Sequence, residues 1–159
     1  MKKTIIYIGL TLSLIIFGFK TAQLFLDISI SELNLNNVSI TWITMIGQFQ
    51  QNILYTIVIG LLPLLYFISS KISRVNSQRQ KISIILITLI IGVLIWQFRI
   101  YQLNLMFESF TEIKLNVGNK TMFLAKDLKL EFYLFSGFII GALISALTLR
   151  QINNRKLKE

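Results

Sequence analysis

Four long stretches that are almost free of charge constrain this chain more than any other feature of its sequence. They extend over residues 4–26, 39–70, 82–107 and 130–149. About 20 apolar residues are enough for an α-helix to cross the hydrocarbon core of a bilayer. Helices that are apolar on all sides belong inside a large core or a membrane, and 159 residues cannot bury four of them. The sequence therefore predicts an all-α integral membrane protein, a four-transmembrane-helix bundle that forms a single domain over residues 1–159.

The composition excludes much familiar enzyme chemistry. Apolar residues make up 54% of the chain and charged residues only 14%, whereas soluble domains are close to a quarter charged. The chain has no cysteine and no histidine, which excludes thiol nucleophiles, imidazole bases and the commonest zinc ligands. None of the remaining acidic, lysine or tyrosine residues occurs in a motif that pairs a nucleophile with a base. We therefore expect a protein that is not an enzyme and needs no cofactor, with a lipid-modifying enzyme as a minor alternative.

The basic residues predict an orientation. They gather at the N-terminus, in the connection 71–81 and in the tail 150–159, and the last two segments contain Lys71, Arg74, Arg79, Lys81, Arg150, Arg155, Lys156 and Lys158. The positive-inside rule places these segments in the cytoplasm. The loops 27–38 and 108–129 are then external, and six of the seven acidic residues lie in or beside them. We expect a multi-pass protein of a bacterial inner (plasma) membrane with both termini in the cytoplasm.

The same basic residues predict partners at the cytoplasmic face. A net charge of +9 that is concentrated there favours contact with anionic lipids or an acidic soluble protein. Nucleic acid is not expected as a partner.

The external loops contain short runs with the alternation of a β-strand. Residues 28–35 alternate in part, and residues 113–125 carry Gly118 and Asn119 between two short apolar-bearing runs. A Gly-Asn pair supplies the positive φ angles that a two-residue hairpin turn requires. The second loop therefore predicts a small external β-hairpin cap, with a disordered polar loop as the alternative.

Two further patterns concern the shape and packing of the helices. Pro63 follows Gly60 in the second span and predicts a kink, because proline cannot donate the helical hydrogen bond to the carbonyl of residue 59. In the fourth span Gly137, Gly141 and Ser145 recur every four residues, a small-residue pattern that lets two helices approach closely in lipid. The partner of this face is a second copy of the chain or another helix of the same copy, and the sequence leaves both open.

Polar side chains also concentrate towards the external ends of the spans. This outer polar zone comprises Lys20, Gln23, Gln48, Gln51, Asn52, Gln97, Arg99, Gln102 and Glu131. Ionisable groups inside a membrane are functional candidates by default. Lys20 and Arg99 lie close enough to the helix ends to extend their charges to the headgroups. The zone is therefore a candidate ligand or pore lining, with snorkelling or structural pairing as the alternative.

These observations leave two function classes in the foreground. The first is a homo-oligomeric sensor, anchor or scaffold that docks a soluble cytoplasmic partner, for example in a stress-response or immunity system. The second is an oligomeric pore, anion-selective or non-selective, that the outer polar zone lines. A proton- or cation-coupled carrier is disfavoured, because no acidic residue lies deep within any of the four predicted spans.

Overall fold

The structure, a computed structural model, describes residues 2–35, 38–41, 45–73, 75, 77–113 and 121–156. The helices are α1 (Lys2–Ser31), α2 (Met45–Gly60), α3 (Leu62–Ser73), α4 (Gln78–Ile113) and α5 (Leu130–Lys156). The strands are β1 (Val38–Thr41) and β2 (Thr121–Leu124), and a short 3₁₀ helix, Ala125–Leu128, joins β2 to α5.

Four helical segments are long and apolar enough to cross a membrane: Ile5–Ser31, Met45–Ser73, Gln78–Ser109 and Ala125–Asn154. Their outward faces expose large apolar side chains, such as Ile6, Leu94 and Phe132, each more than half exposed. A surface of this kind is unfavourable in water and favourable in hydrocarbon. The prediction of four apolar membrane-spanning helices is confirmed, and the chain is a multi-pass membrane protein.

The small-residue face of α5 packs against α4 of the same chain. A Cβ atom on Gly141 would lie 2.8 Å from the Cα atom of Thr88, and one on Gly137 would lie 2.7 Å from the Cα atom of Gly92. Ser145, the third member, is fully buried and donates a hydrogen bond to the Ala142 carbonyl. Of the two partners that the sequence left open for this face, the structure places an intrachain helix on it.

The second membrane crossing is divided at Leu61 into two helices with different neighbours. Before the division α2 packs on α1, where a Cβ atom on Gly60 would lie 2.6 Å from the Cγ1 atom of Ile15. After it α3 packs on α5, and the Ser69 hydroxyl donates a hydrogen bond of 3.1 Å to the Ala142 carbonyl. The division falls two residues before Pro63, as expected from a residue that cannot donate a helical hydrogen bond.

A two-stranded sheet covers one end of the helices, but it is not the predicted hairpin. Strand β1 pairs with β2 in parallel, and Val38 lies opposite Thr121 in the register. The pairing is parallel because each strand follows an outgoing helix and leads into a returning one. The predicted hairpin partner of β2, before the Gly118–Asn119 pair, lies outside the described residues. The alternation that begins at residue 28 is also misleading, since α1 continues to Ser31.

We call the end of the helices next to this sheet the sheet end, and the opposite end, where α1 begins, α3 ends, α4 begins and α5 ends, the basic end. Beneath the sheet, apolar side chains from the α1–β1 loop, β1, α4, the 3₁₀ helix and the start of α5 form one cluster: Leu33, Val38, Ile100, Leu103, Phe107, Leu128 and Leu130. A second cluster follows towards the basic end and consists of Ala22, Tyr55, Val58, Ile59, Leu134 and Phe138. Phe25 and Trp96 pack against both clusters, so the core is continuous from the sheet into the spans.

Candidate functional site

The outer polar zone does not form one cavity. Lys20 and Gln97 are exposed on the outward faces of α1 and α4, and Gln102 is half-buried. On the sheet-end half of α1 and α2, the Gln48 side-chain amide donates to the Gln23 carbonyl oxygen at 2.9 Å, and the Gln23 amide donates to the Asp27 carboxylate at 3.0 Å. Both hydrogen bonds are exposed; the first connects α2 to α1, and the second lies within α1.

Arg99 is held by hydrogen bonding and by an aromatic ring. Its Nε–H donates to the Leu128 carbonyl at 3.0 Å, and its Cζ atom lies 4.7 Å from the centre of the Tyr133 ring. The first contact satisfies a carbonyl at the end of the short 3₁₀ helix, and the second is a cation–π interaction. Arg99 thereby ties α4 to the beginning of α5.

Glu131 is the most unusual residue of the zone. It is the second residue of α5 and only 2% exposed, and its Oε1 atom has no hydrogen-bond partner in the described part of the chain. Its position at a helix N-terminus favours a negative charge. Among the described residues no cation pairs with this carboxylate, and Arg99, which contacts residues on either side of it, forms no ion pair with it.

Two side-chain amides of α2 resemble Glu131 in having a buried oxygen atom that no described residue hydrogen-bonds. Gln51 is 4% exposed, and neither its Oε1 atom nor the buried Oδ1 atom of Asn52 has a hydrogen-bond partner within the described ranges. An amide group offers either its oxygen or its NH₂ to a ligand. A buried polar atom without a partner carries a desolvation cost of about 1–3 kcal/mol, so each is a position where a ligand atom is stabilising.

The helices place Gln51 and Glu131 at the same depth. Gln51 lies one turn before Tyr55 on α2, and Glu131 lies one turn before Leu134 on α5. Tyr55 and Leu134 belong to one apolar cluster, and residues three or four apart share a helix face. Gln51 and Glu131 therefore continue that cluster towards the sheet end from two helices in contact. We call Gln51, Asn52 and Glu131 the buried polar trio.

The oxygen atoms of the trio limit the kind of ligand that it can bind. One carboxylate and two amides provide oxygen ligands, but no group of three histidine, cysteine or acidic side chains gathers in the described part of the chain. Calcium takes six to eight oxygen ligands, several of them carboxylates. The trio is better matched to a singly charged cation or a small organic cation that donates hydrogen bonds.

Two polar residues at the sheet end lie outside the outer polar zone that the sequence predicted. The buried hydroxyl of Ser39 on β1 has no hydrogen-bond partner among the described residues, and the sequence assigned this residue to the second span. The side-chain oxygen of Asn104 on α4 accepts from the backbone N–H of Asn34 at 2.8 Å, and its side-chain NH₂ donates to the Glu32 carbonyl at 3.0 Å. Asn104 therefore fixes the chain where it leaves α1. Its helical spacing with other polar residues was a signal, but nothing in the sequence identified a backbone partner in another loop.

At the basic end the predicted contact residues are largely exposed. The side chains of Lys71, Arg79, Lys81 and Arg150 are exposed, Arg155 and Lys156 belong to the last turn of α5, and Arg74 and Lys158 lie outside the described residues. The side chain of Asn153 connects three helices at this end. Its NH₂ group donates to the Ser73 carbonyl at 2.9 Å, and its oxygen accepts from the Gln80 side-chain amide at 2.8 Å. The exposed cations thus stand on a hydrogen-bonded junction of α3, α4 and α5.

Comparison with known proteins adds no relative. No family model matches the chain, and neither a curated protein nor a solved structure has a significant match to it.

Proposed function

We propose that the chain is a non-enzymatic membrane sensor subunit that binds a small cation at the buried polar trio and docks an acidic soluble protein at its basic end. The observation that carries the proposal is the carboxylate of Glu131, which is buried inside a candidate span and pairs with no cation among the described residues. Intramembrane carboxylates are costly and mark ligand or ion sites.

The energetics favour a cationic ligand. A buried charge without a counter-charge costs several kcal/mol, and the helix N-terminus offsets about 0.3–2 kcal/mol of this. A cation or primary ammonium group beside Glu131 supplies the missing charge, and the oxygens of Gln51 and Asn52 supply further acceptors. Glu131 lies near one end of the span Ala125–Asn154, so the lack of an acidic residue deep within the predicted spans still argues against a proton- or cation-coupled carrier.

The helix α5 provides the connection between the two ends. Glu131 lies in its first turn, whereas Arg150 lies near its other end. α5 contacts α2, α3 and α4 along its length, and it contributes Asn153 to the junction at the basic end. A ligand that changes how α5 packs at the sheet end therefore acts on the element that presents the basic docking surface.

The test compares ligand-dependent stability of three forms of the purified protein: the original chain, Glu131→Gln and the control Asp127→Asn, which neutralises an exposed carboxylate nearby. Unfolding midpoints are measured with sodium, potassium or methylammonium chloride and, at equal ionic strength, with the chloride of a bulky organic cation. We expect one of the small cations to raise the midpoint of the original chain and Asp127→Asn but not of Glu131→Gln. Equal responses of all three forms would show that the site binds none of these cations.

A homo-oligomeric pore is the second candidate. Lys20 and Gln97 are exposed within candidate spans, where polar groups are unfavourable unless they snorkel or another subunit covers them. Native mass and co-purifying proteins, read after gentle purification from the native host, separate the two candidates. A stoichiometric acidic soluble protein supports the sensor, whereas a homo-oligomer that arrives alone and conducts ions across a bilayer supports the pore.

A further inference from the structure

A groove with a volume of about 820 Å³ opens between α1 and α3 in the half of the molecule towards the basic end. Small-molecule pockets range from about 300 to 1,000 Å³. The rings of Tyr7 and Phe67 meet within it edge to face, with centres 5.4 Å apart. Apolar side chains such as Ile6, Leu12 and Leu64 line the rest, and each is about half exposed or more.

The groove results from the division of the second crossing at Leu61. Up to Gly60 this crossing is in close contact with α1. Beyond it α3 is bound to α5 through Ser69, so the first half of α1 is left with one open side. In the first span, only 11% of the most apolar stretch is buried against the rest of the molecule. The groove therefore faces the hydrocarbon of the membrane.

Two lysines mark the end of the groove nearest the basic end. Lys71 at the end of α3 and Lys81 at the start of α4 both line it, and both are exposed. Neither ammonium group forms a hydrogen bond or an ion pair with a described residue. An apolar groove that ends in two unpaired positive charges matches an amphiphile with an acyl chain and an anionic head.

We propose that this groove binds an anionic glycerophospholipid, with one acyl chain between α1 and α3 and the phosphate at Lys71 and Lys81. The inference is independent of the proposed function at the sheet end. A second copy of the chain is disfavoured as the occupant, because a copy in the same orientation would bring its own basic end, including Arg79 and Arg150, towards these lysines. A phosphate neutralises them instead.

The experiment is native mass spectrometry of the full chain in mild detergent with added phosphatidylglycerol or phosphatidylcholine of identical acyl chains. Near an anionic lipid surface each lysine strengthens binding about fivefold, so Lys71→Gln with Lys81→Gln is expected to weaken phosphatidylglycerol binding by about thirtyfold. The matched control, Arg79→Gln with Arg150→Gln, removes the same charge at the same end but outside the groove lining. The control is expected to keep the affinity within a factor of a few.

A second variant tests the acyl-chain site without changing the charge. Leu64→Trp at the half-exposed position in the groove wall is expected to reduce binding of both lipids. Three outcomes overturn the proposal: equal retention of the two lipids by the original chain, equal weakening by the two pairs of substitutions, or a dimer that persists in excess phosphatidylglycerol and is lost in Leu64→Trp. The last outcome would assign the groove to a second copy.

Discussion

At the scale of single residues, the glycines of α5 determine how closely this helix approaches α4. We expect Gly141→Ala to destabilise the protein, because the added Cβ atom would meet the Thr88 Cα atom at 2.8 Å. Gly9→Ala on α1 is the matched control, since a Cβ atom there meets nothing within 4 Å. Alanine gains up to about 1 kcal/mol of helix propensity over glycine, whereas overpacking costs about 1–3 kcal/mol. The measurement is the free energy of unfolding of both variants in a detergent titration.

Gly141→Ala is expected to be less stable than Gly9→Ala by roughly 1–3 kcal/mol, which is the overpacking cost alone, because the gain in helix propensity is common to both variants. Equal stability of the two variants would contradict the close α4–α5 contact. The same comparison distinguishes packing within one chain from assembly, because a lost dimer contact would make the effect of Gly141→Ala depend on protein concentration.

Residue spacing predicted the outer polar zone but not the different environments within it. Helical periodicity gives the face on which a residue lies, and it placed Gln51 and Glu131 correctly near one end of the spans. It does not give the neighbour of that face. Lys20 and Gln97 belong to the same predicted zone and are exposed, whereas Gln51 and Glu131 are buried, because the latter two lie on helix faces that lead into an apolar cluster.

At the scale of elements, the parallel sheet can be tested by a disulfide bond. Ser39 of β1 lies opposite Met122 of β2, and the chain has no native cysteine. We expect Ser39→Cys with Met122→Cys to form an intramolecular disulfide upon oxidation, because opposite residues in a sheet have the Cα separation that this bond requires. Proteolysis between the two positions followed by non-reducing electrophoresis detects the cross-link.

The control pairs Ser39→Cys with Phe123→Cys. Successive residues of a strand point to opposite faces of the sheet, so this second pair is expected to cross-link poorly. Efficient cross-linking of the control, or none of either pair, would argue against the observed register and for another partner of β2.

The elements differ in how far the sequence determines them. Long uncharged segments can be satisfied in a membrane only as helices or closed barrels, so four helical crossings were predictable from the sequence. A strand of four residues such as β2 carries little information about its partner, because pairing depends on which loops the helices bring together. The structure supplies that information: α1 and α4 end beside each other, and their following segments pair in parallel.

At the scale of the whole molecule, the second crossing changes neighbours midway. Its first part, α2, accompanies α1, and its second part, α3, accompanies α5. This change leaves a buried polar site at the sheet end, beneath close packing, and an open groove towards the basic end. The buried polar trio lies towards the sheet end and the lysines of the groove lie towards the basic end, so a variant at one site serves as a control for the other.

The orientation of the molecule in the membrane is the remaining expectation at this scale. Reporters are inserted at Ser77 and Gly118 and fused after Glu159, each in two forms, an alkaline phosphatase that is active only outside the cytoplasm and a fluorescent protein that matures only inside. We expect fluorescence at Ser77 and Glu159 and phosphatase activity at Gly118, because cationic segments are retained in the cytoplasm. The opposite pattern at all three positions would invert the molecule. The basic end, with the lysines of the groove, would then meet lipids of the outer leaflet, and the docking partner would have to be sought outside the cytoplasm.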